Sequence, residues 1–385
     1  MTSRLIAFIP LIALILVSLN LRPALTSIAP LIEVMVADTG LARASIGMIT
    51  TLPVLLMGIM ASFSPRLAAY FGLERSISAA LALLTISLAV RIWADSVVIL
   101  MTSAVGIGIG IAIAGTLMSA FIKQYFSDRL STVIPYYTLS MTLGAALGLM
   151  LTLPLLSLFD DWRWTMAAWS LPAFLAWMVW QPLVPSKANT KRTIAPKLPL
   201  RSAKAWLLTA LFALQSGVFY SLTTWLVARY EEAGSSLVEA SGLASVFMFT
   251  GIGGAFLAPM LMRRVKRIHY LLMAINATVC LSLVCVVLWP EQFPLLVCIV
   301  LGMALTSMFA IGMVLPIHET ETPLEAASLT SMMLTVGFCL GSFVPSLVGI
   351  ARDYSGSYTL PFSGLVMASA SMVLLSAVLG IFLKK

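Results

Sequence analysis

From end to end the chain alternates long runs of Leu, Ile, Val, Ala, Met and Phe with short clusters of charge, Gly or Pro. The apolar runs fall at 5–32, 44–70, 75–92, 97–122, 131–157 and 163–182, then at 204–228, 239–262, 269–289, 293–317, 325–350 and 358–383. A helix needs about 20 apolar residues to cross the hydrocarbon core of a bilayer, so each run predicts one transmembrane helix. Between the sixth and seventh lies the most polar stretch, 183–203, with Lys187, Lys191, Arg192, Lys197 and Arg201, three prolines and no acid. Such a composition builds no core and reads as a solvated connector. The pattern therefore predicts an all-α membrane protein: a six-helix bundle over 1–182, a cytoplasmic basic linker over 183–203, and a second six-helix bundle over 204–385.

Composition removes most other classes. Of the 385 residues, 60% are hydrophobic and 10% charged, and the mean hydropathy is +1.03. A soluble enzyme, a disordered chain and a nucleic-acid binder are all excluded on these figures. The net charge of +8 would suggest phosphate partners in a soluble protein, but in a membrane protein it reflects basic loops on the cytoplasmic side. With the N-terminus inside, the cytoplasmic segments hold Arg4, Arg66, Arg75, Lys123, Arg129, the five linker cations, Lys204, Arg263, Arg264, Lys266, Arg267, Lys384 and Lys385. The opposite side holds Arg43, Arg91, Arg163, Arg229 and Arg352. This asymmetry predicts a multi-pass inner-membrane protein with both termini cytoplasmic. The first run is too long, and lacks an A-x-A site, for a cleavable signal peptide. Cys280, Cys285, Cys298 and Cys339 lie in apolar runs without metal-ligand spacing and read as packing residues.

The halves echo one another. Gly47 matches Gly242, Pro65 matches Pro259, Gly106 matches Gly302 and Gly115 matches Gly312, all at offsets of 194–197. Gly144-x-x-x-Gly148 matches Gly337-x-x-x-Gly341 at an offset of 193. Parallel six-helix repeats are a transporter signature, with the substrate site near the midplane between repeats. The glycine pairs at 144/148 and 337/341, like the run Gly106-Ile-Gly108-Ile-Gly110, are expected to pack helices closely and to serve as pivots, not to bind a dinucleotide.

Sorting charges by depth isolates one residue. Between Arg4 and Glu33 the only charged side chain is Arg22, in Asn20-Leu21-Arg22-Pro23. A guanidinium within hydrocarbon costs about 2.5–3.5 kcal/mol on insertion scales, and its pKa keeps it charged. In the sequence the fifteen acids all sit near run ends or in loops, so the reading is an arginine that faces a wet cavity and takes an anion. The competing reading is an arginine that snorkels outward or caps carbonyls of a helix broken beside Pro23. Helical spacing sets Ser18, Arg22 and Thr26 on one face, and the half-to-half offset carries that face to Gln215, Phe219 and Thr223, with Tyr220 adjacent. Gln215 and Tyr220 supply donors for an anion and Phe219 a flat wall, against the plainer reading of Gln215 as a bond between helices. Tyr136, Tyr137 and Ser140 are weaker candidates, with Tyr137 retained as a substrate contact. His269 and His318 stand at cytoplasmic ends and read as interfacial residues. No catalytic pair, metal cluster or cofactor is expected.

Pro65-Arg-Leu-Ala-Ala-Tyr-Phe-Gly72-Leu-Glu-Arg75 resembles the loop between helices 2 and 3 of the major facilitator superfamily, usually GxLADRxGRR. It departs at Pro65, Ala69 and Tyr70, which weakens the gating charge network ascribed to that motif; Gly72 and Arg75 are the gating positions that remain. Leu19-Asn-Leu-Arg22-Pro23-Ala-Leu-Thr-Ser-Ile-Ala-Pro30 is similar to the first helix of the cyanate permease and 2-nitroimidazole transporter branch of that superfamily. Gly47-Met-Ile-Thr50-Thr51-Leu-Pro53, Tyr137-Thr-Leu-Ser-Met-Thr142, Ser331 to Gly349 and Asp353-Tyr-Ser-Gly356 continue the likeness. The resemblance implies a small-solute transporter whose first-helix arginine is Arg22.

The expectation is thus a secondary active or facilitative transporter moving a small anionic or nitro-type solute by alternating access. Its partners would be that solute and the bilayer, with no nucleic acid, and the protein would be a monomer. The rivals are a multidrug efflux pump of the same fold, disfavoured by Arg22 and the lack of a deep carboxylate, and a receptor or sensor that keeps a transporter fold.

Overall fold

Inside a bilayer every backbone N–H and C=O must find a partner within the protein, which leaves the apolar runs little choice but helix. The computed structural model describes residues 2–126, 129–184, 198–265, 267–320 and 323–382. Most of the basic linker, with Lys187, Lys191, Arg192 and Lys197, lies outside the described residues, as do Lys266, Lys384 and Lys385; the side chains of Arg4 and His318 do too.

Sixteen α-helices occur among the described residues. The first span is built from α1 (Thr2–Asn20), α2 (Pro23–Thr26) and α3 (Ile32–Thr39), with a 3-10 turn, Ala29–Leu31, before α3. Then come α4 (Arg43–Phe71), α5 (Leu73–Ala89), α6 (Val97–Tyr125), α7 (Leu130–Phe159), α8 (Trp162–Ala167) and α9 (Ser170–Trp180). The second half holds α10 (Ala203–Glu232), α11 (Leu237–Arg264), α12 (Ile268–Leu288), α13 (Pro294–Glu319), α14 (Pro323–Gly341), α15 (Val344–Ser355) and α16 (Thr359–Phe382). Eleven helical stretches among the described residues are long and apolar enough to cross a membrane. The sixth predicted span, 163–182, differs: it is divided between α8 and α9 by a turn at 168–169, three residues before Pro172, which has no N–H for an unbroken helix. The eleventh, predicted as 325–350, breaks after Gly341 ahead of Pro345 for the same reason, and extends to Ser355. The first runs on through Glu33 and Asp38 to Thr39 instead of stopping at 32, and Glu33 pairs there with Arg43 (below).

Helix starts carry local signals. The Ser96 hydroxyl accepts from Ile99 N at 3.4 Å, Asp161 from Arg163 N at 2.7 Å and Ser202 from Ala205 N at 3.3 Å. Ser236 and Glu239 form a reciprocal capping box at the head of α11.

The chain gathers into two compact units, Met1–Leu31 with Leu52–Ala195, and Ile32–Thr51 with Pro196–Lys385. In the first, α1 packs on α7 and α9, and α5 on α6 and α9. Glycines set the closeness of α6: a Cβ on Gly108 would lie 2.6 Å from Pro53 Cα, and one on Gly110 2.8 Å from the Ala80 carbonyl. In the second unit α10 is the most deeply buried span and α16 the least. The segment 32–51 joins this unit through specific contacts. Gly47 lies against Ser346, with a Cβ there 3.1 Å from Ser346 Cα, and Thr51 Oγ1 lies 2.7 Å from Ser346 Oγ. Thr224 Oγ1 donates to Thr50 Oγ1 at 3.2 Å.

Candidate functional site

The interruption of the first span is where the sequence-predicted site takes shape in the first unit. Pro23 has no N–H, and its ring excludes a helical carbonyl at Leu19, so α1 ends at Asn20 and Arg22 takes a non-helical conformation with φ −120° and ψ −34°. The Arg22 carbonyl then caps the next turn, accepting from Leu25 N at 3.0 Å, Thr26 N at 3.1 Å and Thr26 Oγ1 at 3.4 Å. The glycine pair of α7 closes on this break: a Cβ at Gly144 would land on the Leu19 carbonyl, and one at Gly148 on Thr26 Oγ1 and 2.9 Å from Pro23 Cα. Asn20 ties the break to α9 by donating to the Pro172 carbonyl at 3.2 Å, as well as to Leu16 O at 2.8 Å. Arg22 itself is half-buried at the corner, while Leu21, Pro23, Ala24, Leu25 and Thr26 around it are buried. The Arg22 charge is within electrostatic reach of the half-buried Tyr137 on α7. Thr26 is thus tied to the Arg22 backbone and Tyr137 is within reach of the Arg22 charge, while Ser18 is turned back on its own helix, donating to Leu14 O at 2.5 Å.

The second unit repeats the device on α10 without a break. A Cβ on Gly337 of α14 would strike the Phe212 ring, and one on Gly341 would lie 2.8 Å from the Ala213 carbonyl and 3.0 Å from Gly217 N. Gln215 is 3% exposed and spans to α13, donating to the Leu305 carbonyl at 3.3 Å while its Oε1 accepts from Ser216 at 3.5 Å. It borders a small apolar cavity with Phe212, Met308, Gly312 and Met333. Phe219 and Tyr220 form an aromatic wall: their rings stand edge to face at 5.4 Å, Phe219 lies 6.0 Å from Phe247, and Tyr220 lies 6.2 Å from Phe338.

Of the predicted gating positions, Gly72 holds φ +94°, open to glycine at little cost, and starts α5. Two residues on, the buried Glu74 carboxylate accepts from Gln124 Nε2 at 2.7 Å and Tyr125 Oη at 3.0 Å. Arg75 is half-buried in the same first turn.

Two features escaped the sequence reading. The first is Arg91, counted there as a topology-setting cation of the outer side; it is fully buried, 0% exposed. Helical spacing offers Asp95 as its partner, but Asp95 is taken by Arg163 at 3.1 Å. The only signal was that Arg91 precedes Ile92 and Trp93, and so sits inside its apolar run. The second is an ion-pair cluster in the second unit. Arg43 grips Glu33 with Nη2 at 2.5 Å from Oε2 and Nε at 3.0 Å from Oε1, and approaches Asp353 at 3.7 Å; Tyr358 Oη donates to Glu33 at 3.3 Å. Glu232 gathers Arg229 at 3.3 Å, Arg352 at 3.7 Å and the Tyr358 backbone N–H at 2.9 Å. The hydrogen bond to Glu33 holds the Arg43 guanidinium above its usual range. Burial, then the Glu33 charge, push the Tyr358 phenol up, so it stays a neutral donor.

Residues 11–344 match the family model described as Major Facilitator Superfamily. The chain belongs to the Major Facilitator Superfamily. Among curated relatives of this superfamily member, the cyanate transport protein CynX of Escherichia coli strain K12 is 29% identical over 358 residues, 92% of each chain. The 2-nitroimidazole transporter of the same organism is 26% identical over 374 residues, covering 94% of this chain and 92% of the relative. In fold, the crystal structure of the nucleoside transporter NupG superposes with a TM-score of 0.81 at 14% identity, covering 96% of this chain and 99% of that one. The superfamily member described here is accordingly a multi-pass membrane transporter of a small solute, not an enzyme.

Proposed function

We propose that this transporter moves a small anion or nitro compound across the inner membrane by alternating access of two six-helix bundles, and that Arg22 is the residue that holds the solute. The observation that carries the reading is the interrupted first span: a charged guanidinium set at a break in a helix otherwise free of charge from residue 5 to residue 32. A guanidinium presents planar donors that match the oxygens of a carboxylate, nitrate or nitro group and also meet the ends of a linear anion. Relatives named for cyanate and for 2-nitroimidazole differ in charge but share an electronegative group that accepts such donors. Tyr137 supplies a further donor beside Arg22. Within the second unit, Gln215, Phe219 and Tyr220 of α10 remain the proposed further solute contacts, on the strength of the half-to-half offset from the Arg22 face. Both termini are cytoplasmic in this reading, which rests on the seventeen-to-five bias of Lys and Arg between predicted inner and outer segments, and the protein works as a monomer.

The test is thermal-shift screening of purified protein against cyanate, nitrate, nitrite, small carboxylates, 2-nitroimidazole and lipophilic cations such as tetraphenylphosphonium. Stabilisation by one of these anions or by the nitro compound, lost in Arg22→Ala, is the expected result. Stabilisation by lipophilic cations alone would overturn the anion reading in favour of efflux of cations.

A further inference from the structure

We propose that Arg91 is the positioning residue of the substrate site: it fixes the broken first span in the shape that presents Arg22. This inference rests on the reading of Arg22 as the solute anchor.

The Ala24 carbonyl belongs to the short α2 turn. In an unbroken helix it would accept from the N–H of Ile28, but the chain turns at 27–28 and re-enters as a 3-10 turn at Ala29. A carbonyl released from helix at membrane depth is costly unless a neighbouring group takes it. Arg91 Nη1 does so, at 3.5 Å. The same guanidinium is held on the far side by Ser103 of α6, whose hydroxyl accepts from Nε at 3.3 Å, and by Met166 of α8, whose sulfur lies 3.6 Å from Nη1. One planar group therefore ties the break to two other helices of the first unit.

The choice of arginine for this task is otherwise hard to explain. Arg91 is completely buried, it forms no ion pair among the described residues, and its Nη2 has no acceptor among them. A neutral apolar side chain of similar length would avoid the desolvation that a buried charge suffers. What such a side chain cannot do is donate to the Ala24 carbonyl. Thr26, two residues further on, donates back to the Arg22 carbonyl and abuts Gly148. A shift of the Ala24 turn is therefore passed directly to the residue that carries the anchor.

The test uses full-length protein in nanodiscs, with two readouts: amide hydrogen exchange of 21–31, and affinity for cyanate as the probe. Arg91→Met removes charge and donors; Arg91→Gln removes the charge and keeps an amide donor. Arg91→Met is expected to raise exchange across 21–31 and to weaken cyanate binding by about tenfold or more, the loss expected of one hydrogen bond from a charged donor, with exchange in α12 and α16 unchanged. Arg91→Gln is expected to restore both readouts to within about threefold of wild type. Wild-type exchange at 21–31 in Arg91→Met overturns the proposal. So does equal loss of binding in Arg91→Gln and Arg91→Met, which would make Arg91 a source of charge acting through space. If Arg91→Met does not fold, Arg91→Lys takes its place: it keeps a donor for the Ala24 carbonyl without the planar fork, so exchange at 21–31 and cyanate affinity within about threefold of wild type are expected, and raised exchange there in the folded variant overturns the proposal. Arg22→Ala run alongside separates the two claims. Retained cyanate binding in that variant removes the anchor, whereas retained slow exchange in Arg91→Met removes the positioning role alone.

Discussion

Two arginines of the first unit pose the same problem, a cation held within an apolar span, and only one of them is visible in the sequence. Arg22 stands out because the nearest charges along the chain are Arg4 and Glu33, so neither snorkelling nor a neighbour on the same helix offers an easy exit. Arg91 is hidden because it lies near a run end with Asp95 four residues on, the spacing of an ordinary surface pair. Burial and the capture of Asp95 by Arg163 depend on tertiary packing that no local pattern encodes. Tyr137 belongs to the same scale. Its phenol lies within electrostatic reach of Arg22, and if it donates to the solute its removal in Tyr137→Phe is expected to lower affinity by about threefold to tenfold. Equilibrium binding measures this, and wild-type affinity would exclude Tyr137 from the site.

At the scale of elements, the sequence reading located the helices and understated their breaks. Apolar runs report the need for helix inside a bilayer, and they look the same whether or not the helix is continuous. The interruptions in the first, sixth and eleventh spans each sit just ahead of a proline, at Pro23, Pro172 and Pro345. The glycines were more legible. The pairs at 144/148 and 337/341 match in spacing because they do matching work, admitting α7 against the break after α1 and α14 against α10. Gly242, paired by offset with Gly47, has open space around it instead. This contrast is testable by denaturation in detergent. Gly144→Ala, whose Cβ meets backbone at Leu19, is expected to lose about 1–3 kcal/mol. Gly242→Ala is expected to stay within about 0.5 kcal/mol of wild type. Equal effects at the two positions would contradict the packing account.

At the scale of the whole molecule, charge tells more about topology than about contact. The excess of Lys and Arg in alternate predicted loops is what the proposed orientation in the membrane rests on. It leads to a labelling experiment in intact cells on a cysteine-free background. Ser355→Cys, the last residue of α15, is expected to react with a membrane-impermeant maleimide, and Ser202→Cys, at the head of α10, only after lysis. The reverse pattern would invert the proposed topology. The same charges acquire a second role in the second unit, where Glu33, Arg43, Asp353 and Tyr358 join segments more than 300 residues apart in the chain. Sequence offers no sign of such long-range pairs, since each residue taken singly is an unremarkable polar or charged group near the end of an apolar run.

The central claim is that Arg22 holds the solute during transport. Its most direct test is uptake of labelled cyanate by proteoliposomes containing wild-type protein or Arg22→Ala, both verified as folded by gel filtration and equal in reconstitution. The account predicts uptake by wild type and uptake at the protein-free background for Arg22→Ala. Wild-type uptake by Arg22→Ala would contradict it.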